Sequence, residues 1–135
     1  MTGISIRRIS EQVLAMSALH YLTSGDRRGL LNPDSRKAIE MAVASAAEET
    51  TALLSQAIKR MECEGEILSV EFKEGADEKL MKSVTESMIE HLTLARVYSV
   101  SHPEASEKHR KAAAELRGRA SATMNEGQGV VKDGR

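Results

Sequence analysis

Residues 33–64 carry a helical pattern about 32 residues long, and nothing else in the chain constrains the fold as much. At about 1.5 Å per residue such a helix spans about 48 Å. A compact chain of 135 residues has a diameter of only about 37 Å. The pattern therefore predicts an elongated subunit that needs neighbours, unless the helix breaks. Its start is well marked: Asn32 is a capping residue, Pro33 suits the first helical position and Asp34 adds a favourable charge. Ile39, Val43, Ala46, Thr50, Leu53, Ala57 and Arg60 follow at alternating spacings of four and three, and Ala42, Ala47, Leu54, Ile58 and Met61 widen that stripe. The run 42–47 is small on nearly every face, so a partner helix can approach closely. A bend would fall at Glu48, Glu49, Thr50 and Thr51, where polar and β-branched residues lower helix propensity.

Three further helices are expected. The first covers 11–23, with Ser10 as its N-cap and Gly25 as its stop; Val13, Leu14, Met16, Leu19 and Leu22 form its stripe. The segment 24–31 reads as a turn with a basic tip at Arg27 and Arg28. The third helix covers 78–100 behind an Asp77 cap, with a stripe of Met81, Val84, Met88, Leu92, Ala95 and Tyr98. His102 before Pro103 stops it, because the residue before proline is steered out of the α region. The fourth covers 104–124 and has a thin apolar side of Ala105, Ala112, Ala113, Leu116, Ala120 and Met124. Gly65 separates the long helix from Ile67, Leu68, Val70 and Phe72, the one β-like stretch in the chain. A lone strand has no partner in its own subunit. It is expected either to be an irregular loop or to pair with another copy or another protein. The fold class expected is all-α: an elongated bundle of about four helices with one short β-like insertion and a flexible C-terminal tail. One helical domain covers 1–126, and an extended tail covers 127–135.

Composition narrows the function classes. There is no Trp, and Tyr21, Tyr98 and Phe72 are the only aromatics, so Ala, Leu, Ile, Val and seven Met must supply the core. Cys63 is the single cysteine, which excludes a disulfide within the chain, suits a reducing compartment and reads as a small apolar bystander. Residues 1–10 lack the apolar core of a signal peptide, and no apolar run is long enough to span a membrane. The net charge of −1 is unevenly spread. Residues 1–37 hold six basic and three acidic residues, 38–102 hold six and twelve, and 103–135 hold seven and five. Basic ends around an acidic middle suit contacts between copies.

Residues that announce chemistry are scarce. His20, His91, His102 and His109 form neither an HExxH pair nor a zinc spacing, and no Glu-x-x-His occurs. His20 and His91 are read as packing or interface residues. Gly25 and Gly29 do not make a phosphate loop, and no nucleophile motif is present. The expectation is a protein that is not an enzyme and holds no cofactor or metal. The basic clusters, Arg7 and Arg8, Arg27 and Arg28, and Lys108, Arg110, Lys111, Arg117 and Arg119, have the chemistry of phosphate contacts. They lack interleaved aromatics for base stacking. The first two helices are joined by about ten residues, longer than a helix-turn-helix connection.

The order of these elements resembles the small helical head–tail connector proteins (adaptors, or head-completion proteins) of tailed bacteriophages and phage-like gene-transfer particles. Three stretches carry the likeness: the capped, alanine-rich helix that ends in paired leucines, 32–58; the helix 80–101, whose last turns hold Leu94, Ala95 and Tyr98; and the basic, alanine-rich helix that ends in glycine, 104–129. The β-like insertion at 67–72 departs from the pattern. The resemblance implies a homo-oligomeric, dodecameric ring in the virion, assembled in the host cytoplasm. It docks under the portal protein, meets a tail or stopper protein, and surrounds the DNA channel without touching a membrane. It also implies portal contact through the C-terminal tail, Gly127, Gln128, Gly129, Val130, Val131, Lys132, Asp133, Gly134 and Arg135. On this reading Ile67, Leu68, Val70 and Phe72 form an inter-subunit strand, and Arg27, Arg28, Lys108, Arg110 and Lys111 face the DNA channel or a neighbouring subunit. The alternative is a helical regulatory or adaptor protein that dimerises through Val43, Ala46, Leu53 and Ala57 and binds a protein or DNA partner.

Overall fold

The computed structural model describes residues 2–25 and 36–133. The order of elements is β1 (Thr2–Ser5), α1 (Ile6–Ser24), α2 (Arg36–Leu53), β2 (Ile58–Glu64), β3 (Ile67–Phe72), α3 (Glu78–Tyr98) and α4 (Pro103–Asp133). Four helices make most of the fold, and a three-stranded antiparallel sheet joins them, so the architecture is not purely α. The Asn32, Pro33 and Asp34 cap and the Arg27 and Arg28 tip lie outside the described residues.

The long helix expected over 33–64 does not exist. α2 ends at Leu53. The Thr50 and Thr51 hydroxyls turn back and donate to the Ala46 and Ala47 carbonyls at 2.8 and 2.9 Å. The amides of Ala57 and Ile58 then both donate to the Leu54 carbonyl, a tight turn that redirects the chain. From Ile58 onward the backbone finds a ladder instead of a helix: Met61 pairs with Val70, Cys63 with Leu68 and Glu64 with Ile67. Gly65 and Glu66 close this hairpin. Gly65 alone has positive φ (62°), the pattern of a two-residue hairpin loop with glycine first.

β3 is also not a lone strand. It is the central strand, in the order β1-β3-β2. Thr2, Gly3, Ile4 and Ser5 pair with Val70, Ser69, Leu68 and Ile67 on its other side. β1 fills one edge from Ile67 to Val70 and β2 the other from Ile67 to Phe72, so Ile67, Leu68 and Val70 are not available as an inter-subunit strand, and Phe72 is paired with Ile58. Ile4, Leu68, Val70 and Ile58 face the core. β2 guards its outer edge with charge through Lys59, Arg60, Glu62 and Glu64, and Arg60 pairs with Glu71 at 3.6 Å.

α1 starts earlier than expected, because Ser5 rather than Ser10 is the cap: its Oγ accepts from the Arg8 amide at 3.1 Å. Ser10 is buried inside the helix and donates to the Ile6 carbonyl. Gly25 ends the helix in the left-handed region (φ 72°), and its amide donates to the Tyr21 carbonyl. α3 begins as expected at an Asp77 cap, whose carboxylate accepts from the Leu80 amide. Its entire predicted stripe, Met81, Val84, Met88, Leu92, Ala95 and Tyr98, is buried. α3 and α4 form an antiparallel hairpin, closed where the Ser106 hydroxyl donates to the Ala95 carbonyl at 2.7 Å.

An over-long helix does occur, at α4. Its 31 residues span about 46 Å, against about 32 Å for the 21 residues of α3. Gly127 therefore does not begin an extended tail. The backbone stays helical to Asp133, since two isolated glycines each cost only about 1 kcal/mol of helix propensity and no proline intervenes. Gly134 and Arg135 lie outside the described residues. The last core residue described on α4 is Met124, which packs beside the turn that follows α2.

Candidate functional site

The hairpin of α3 and α4 turns at about residue 100, so positions whose numbers add to about 200 face each other. This places His91 opposite His109 and Tyr98 opposite His102. The Nδ1 atoms of His91 and His109 lie 2.9 Å apart. Tyr98 contacts the rings of His102 at 5.6 Å and His109 at 6.0 Å between centroids. α1 adds His20, whose ring is 5.5 Å from Tyr98 and 5.9 Å from His102. All four histidines of the chain and its most deeply buried aromatic thus form one continuous array where α1 and α3 end and α4 begins. The sheet lies at the other end, where α1 and α3 start.

Burial sets the chemistry of the array. It lowers the pKa of His91, and it lowers that of His109 to about 4, with the His91 and His20 charges adding to the effect. The Tyr98 hydroxyl is pushed above its usual range by burial. Between the two Nδ1 atoms there is room for a single proton, so one imidazole donates and the other accepts. The Ser101 hydroxyl also lies 3.0 Å from Nδ1 of His102. This arrangement can relay or store a proton. Among the described residues there is no cluster of three or more His, Cys, Asp or Glu able to hold a metal ion.

A cleft of about 810 Å³ opens beside the array, lined by Met16, Leu19, His20, Thr23 and the stretch from Ser101 to Ala105, with Lys108 and His109 behind. Around this end the chain exposes large apolar side chains: Leu19 is 62% exposed, Leu22 76% and Val100 92%. Elsewhere Met41, Ile67 and Leu80 are also exposed, so exposed apolar side chains occur at both ends of the bundle.

The structure places the remaining residues singled out in the sequence as follows. Lys108 lines the cleft and Lys111 is exposed. Arg110 is exposed and pairs with Glu49, which accepts from it at 3.4 Å and from Arg96 at 2.7 Å. Arg117 is likewise engaged, donating to the Leu53 carbonyl at the end of α2. The dimerisation stripe is used up within the chain: Val43, Ala46 and Ala57 are buried in its own core and Leu53 is half-buried against it. Cys63 is exposed on β2. The residues 127–133 continue α4. No described helix is long and apolar enough to cross a membrane. Compared with protein-family models, curated proteins and solved structures, the chain matches none.

Sequence reasoning took the histidines one at a time and missed the array. The signal was present as spacing: His91 to Tyr98 and His102 to His109 are both seven apart, on either side of a turn. Folding the two stretches back on each other superimposes them.

Proposed function

We propose that the chain is a structural subunit of the head–tail junction of a tailed phage or phage-like particle. It assembles as a homo-oligomeric, dodecameric ring in the virion, formed in the host cytoplasm, with the portal on one side, a tail or stopper protein on the other and DNA passing through. The observation that carries this reading is α4, which continues for nine residues past its last described core residue, Met124, to Asp133. On this reading the helical backbone from 125 to 133 carries the segment that meets a partner. The likeness to connector proteins in the order of helices over 32–58, 80–101 and 104–129 supports the same assignment. It points to the segment 127–135 as the portal-docking arm. The exposed Leu19, Leu22 and Val100 supply a second contact surface, at the end of the molecule where α4 begins.

The wedge made by a helix over 33–64 is gone, and so is the unpaired strand. The long helix of the chain is α4.

Removal of 127–135 tests the reading. The truncated chain is expected to keep its helical circular dichroism and to lose association with the portal ring of its own particle in sedimentation. Portal association unchanged by the truncation would overturn the assignment of the arm.

A further inference from the structure

Among the described residues, the His91–His109 pair is where α3 and α4 meet through titratable groups facing each other at hydrogen-bond distance. We infer that this pair is an acid-opened latch: it holds α4 against α3 with one proton between the two Nδ1 atoms, and it parts when both rings are protonated there. The inference concerns the end of the molecule where α4 begins and stands apart from the connector reading.

The stoichiometry follows from the geometry. With both rings neutral, one Nδ1–H donates to the lone pair of the other Nδ1. A first added proton makes one imidazolium, which still donates to its neutral partner and strengthens the bond. A second leaves two N–H groups and two positive charges face to face at 2.9 Å, and neither has an acceptor. One ring must then leave.

The surroundings favour this order of events. From α1 the facing group is His20, from the turn His102, and from α3 Tyr98. On α4, Lys108 lines the cleft beside His109, while Glu115 and Arg119 border a smaller groove beside His91. Burial, then His91 and His20, disfavour charge on His109, and Glu104 is the carboxylate that lines the same cleft. Glu90, the acid adjacent in sequence, takes its influences from Glu86 and Arg8 instead. The Ser106–Ala95 hydrogen bond carries no titrating proton in this range and keeps the hairpin closed one turn away. Opening is therefore local. The His109 ring leaves Tyr98, and the cleft between α1 and α4 gains that space.

Nitrogen-15 NMR of the imidazoles in the intact chain tests the latch. At neutral pH the expected result is a scalar coupling across the Nδ1–H···Nδ1 bond, with one ring in each tautomer. As the pH falls from 6.5 towards about 4 the coupling should survive the first protonation and vanish with the second. The Tyr98 ring resonances should shift at that second step. The double variant His91→Asn/His109→Asn places an amide near each Nδ1 position without a titrating proton, and in it the Tyr98 step should disappear. Independent titration of both rings near 6.5 with no coupling would overturn the inference. So would a Tyr98 step that persists in the double variant. If that variant does not fold, the coupling and its two-step loss in the unmodified chain decide the matter alone.

Discussion

Glu90 and His109 are both half-buried, and burial acts on them with opposite consequences for stability. The Glu90 carboxyl is raised to about 7, first by burial and then by Glu86, with Arg8 opposing. Its folded value lies above the unfolded 4.5, so its stabilising contribution is complete below 4.5 and is lost as pH rises towards 7. Glu90→Gln is therefore expected to raise the melting temperature above pH 7 and to leave it unchanged below pH 4.5. Thermal denaturation at the two pH values checks this. For His91 and His109 the folded values lie below the unfolded 6.5, so their contribution is complete above 6.5 and is lost as the pH falls towards about 4. In the core, the break after α2 reverses the roles of two neighbouring leucines. Leu54 is buried while Leu53 is half-buried. Leu54→Ala should cost about 2–5 kcal/mol, and Leu53→Ala clearly less. Urea denaturation of the two variants measures the order. Equal losses would mean that the helical face continues through 54.

At the scale of elements, α1, α3 and α4 were legible as helices, but only in α3 did cap and stripe agree. Asp77 followed by the Met81 to Tyr98 stripe leaves no other reading for α3, and Gly25 stops α1 as read. The second half of the expected long helix was misread because its residues satisfy two periods at once. Leu54, Ile58 and Met61 continue a helical stripe, while Met61 and Cys63 alternate with Arg60, Glu62 and Glu64 as a strand does. Local pattern does not separate these two outcomes. Pairing with β3 does, and pairing is a tertiary effect. The decisive local clue was length: two residues, Gly65 and Glu66, between two β-compatible runs make a hairpin loop. β1 was too short to read, although Ile4 and Ile6 flank Ser5 in alternation. The hairpin makes its own prediction. Gly65 has φ 62° with nothing within 4 Å of the position a Cβ would occupy, so Gly65→Ala costs only the backbone strain, about 1 kcal/mol. Chemical denaturation reads that loss. A neutral substitution would contradict the hairpin geometry.

For the whole molecule, the sheet and the histidine array lie at opposite ends of a helical bundle, and α4 runs between them and past Met124, its last described core residue. Assembly was first suggested by a helix of the wrong segment. The long helix of this chain is instead α4, at about 46 Å. Charge contributes less than the sequence suggested. Arg110 pairs with Glu49 and Arg117 with the end of α2, while Lys108, Lys111 and Arg119 are exposed on α4. A ring subunit that passes DNA without reading it needs little more. Electron microscopy of particles assembled without this chain tests the proposal most directly. The account predicts filled or leaking heads that carry no tails, and normally tailed, DNA-retaining particles would contradict it.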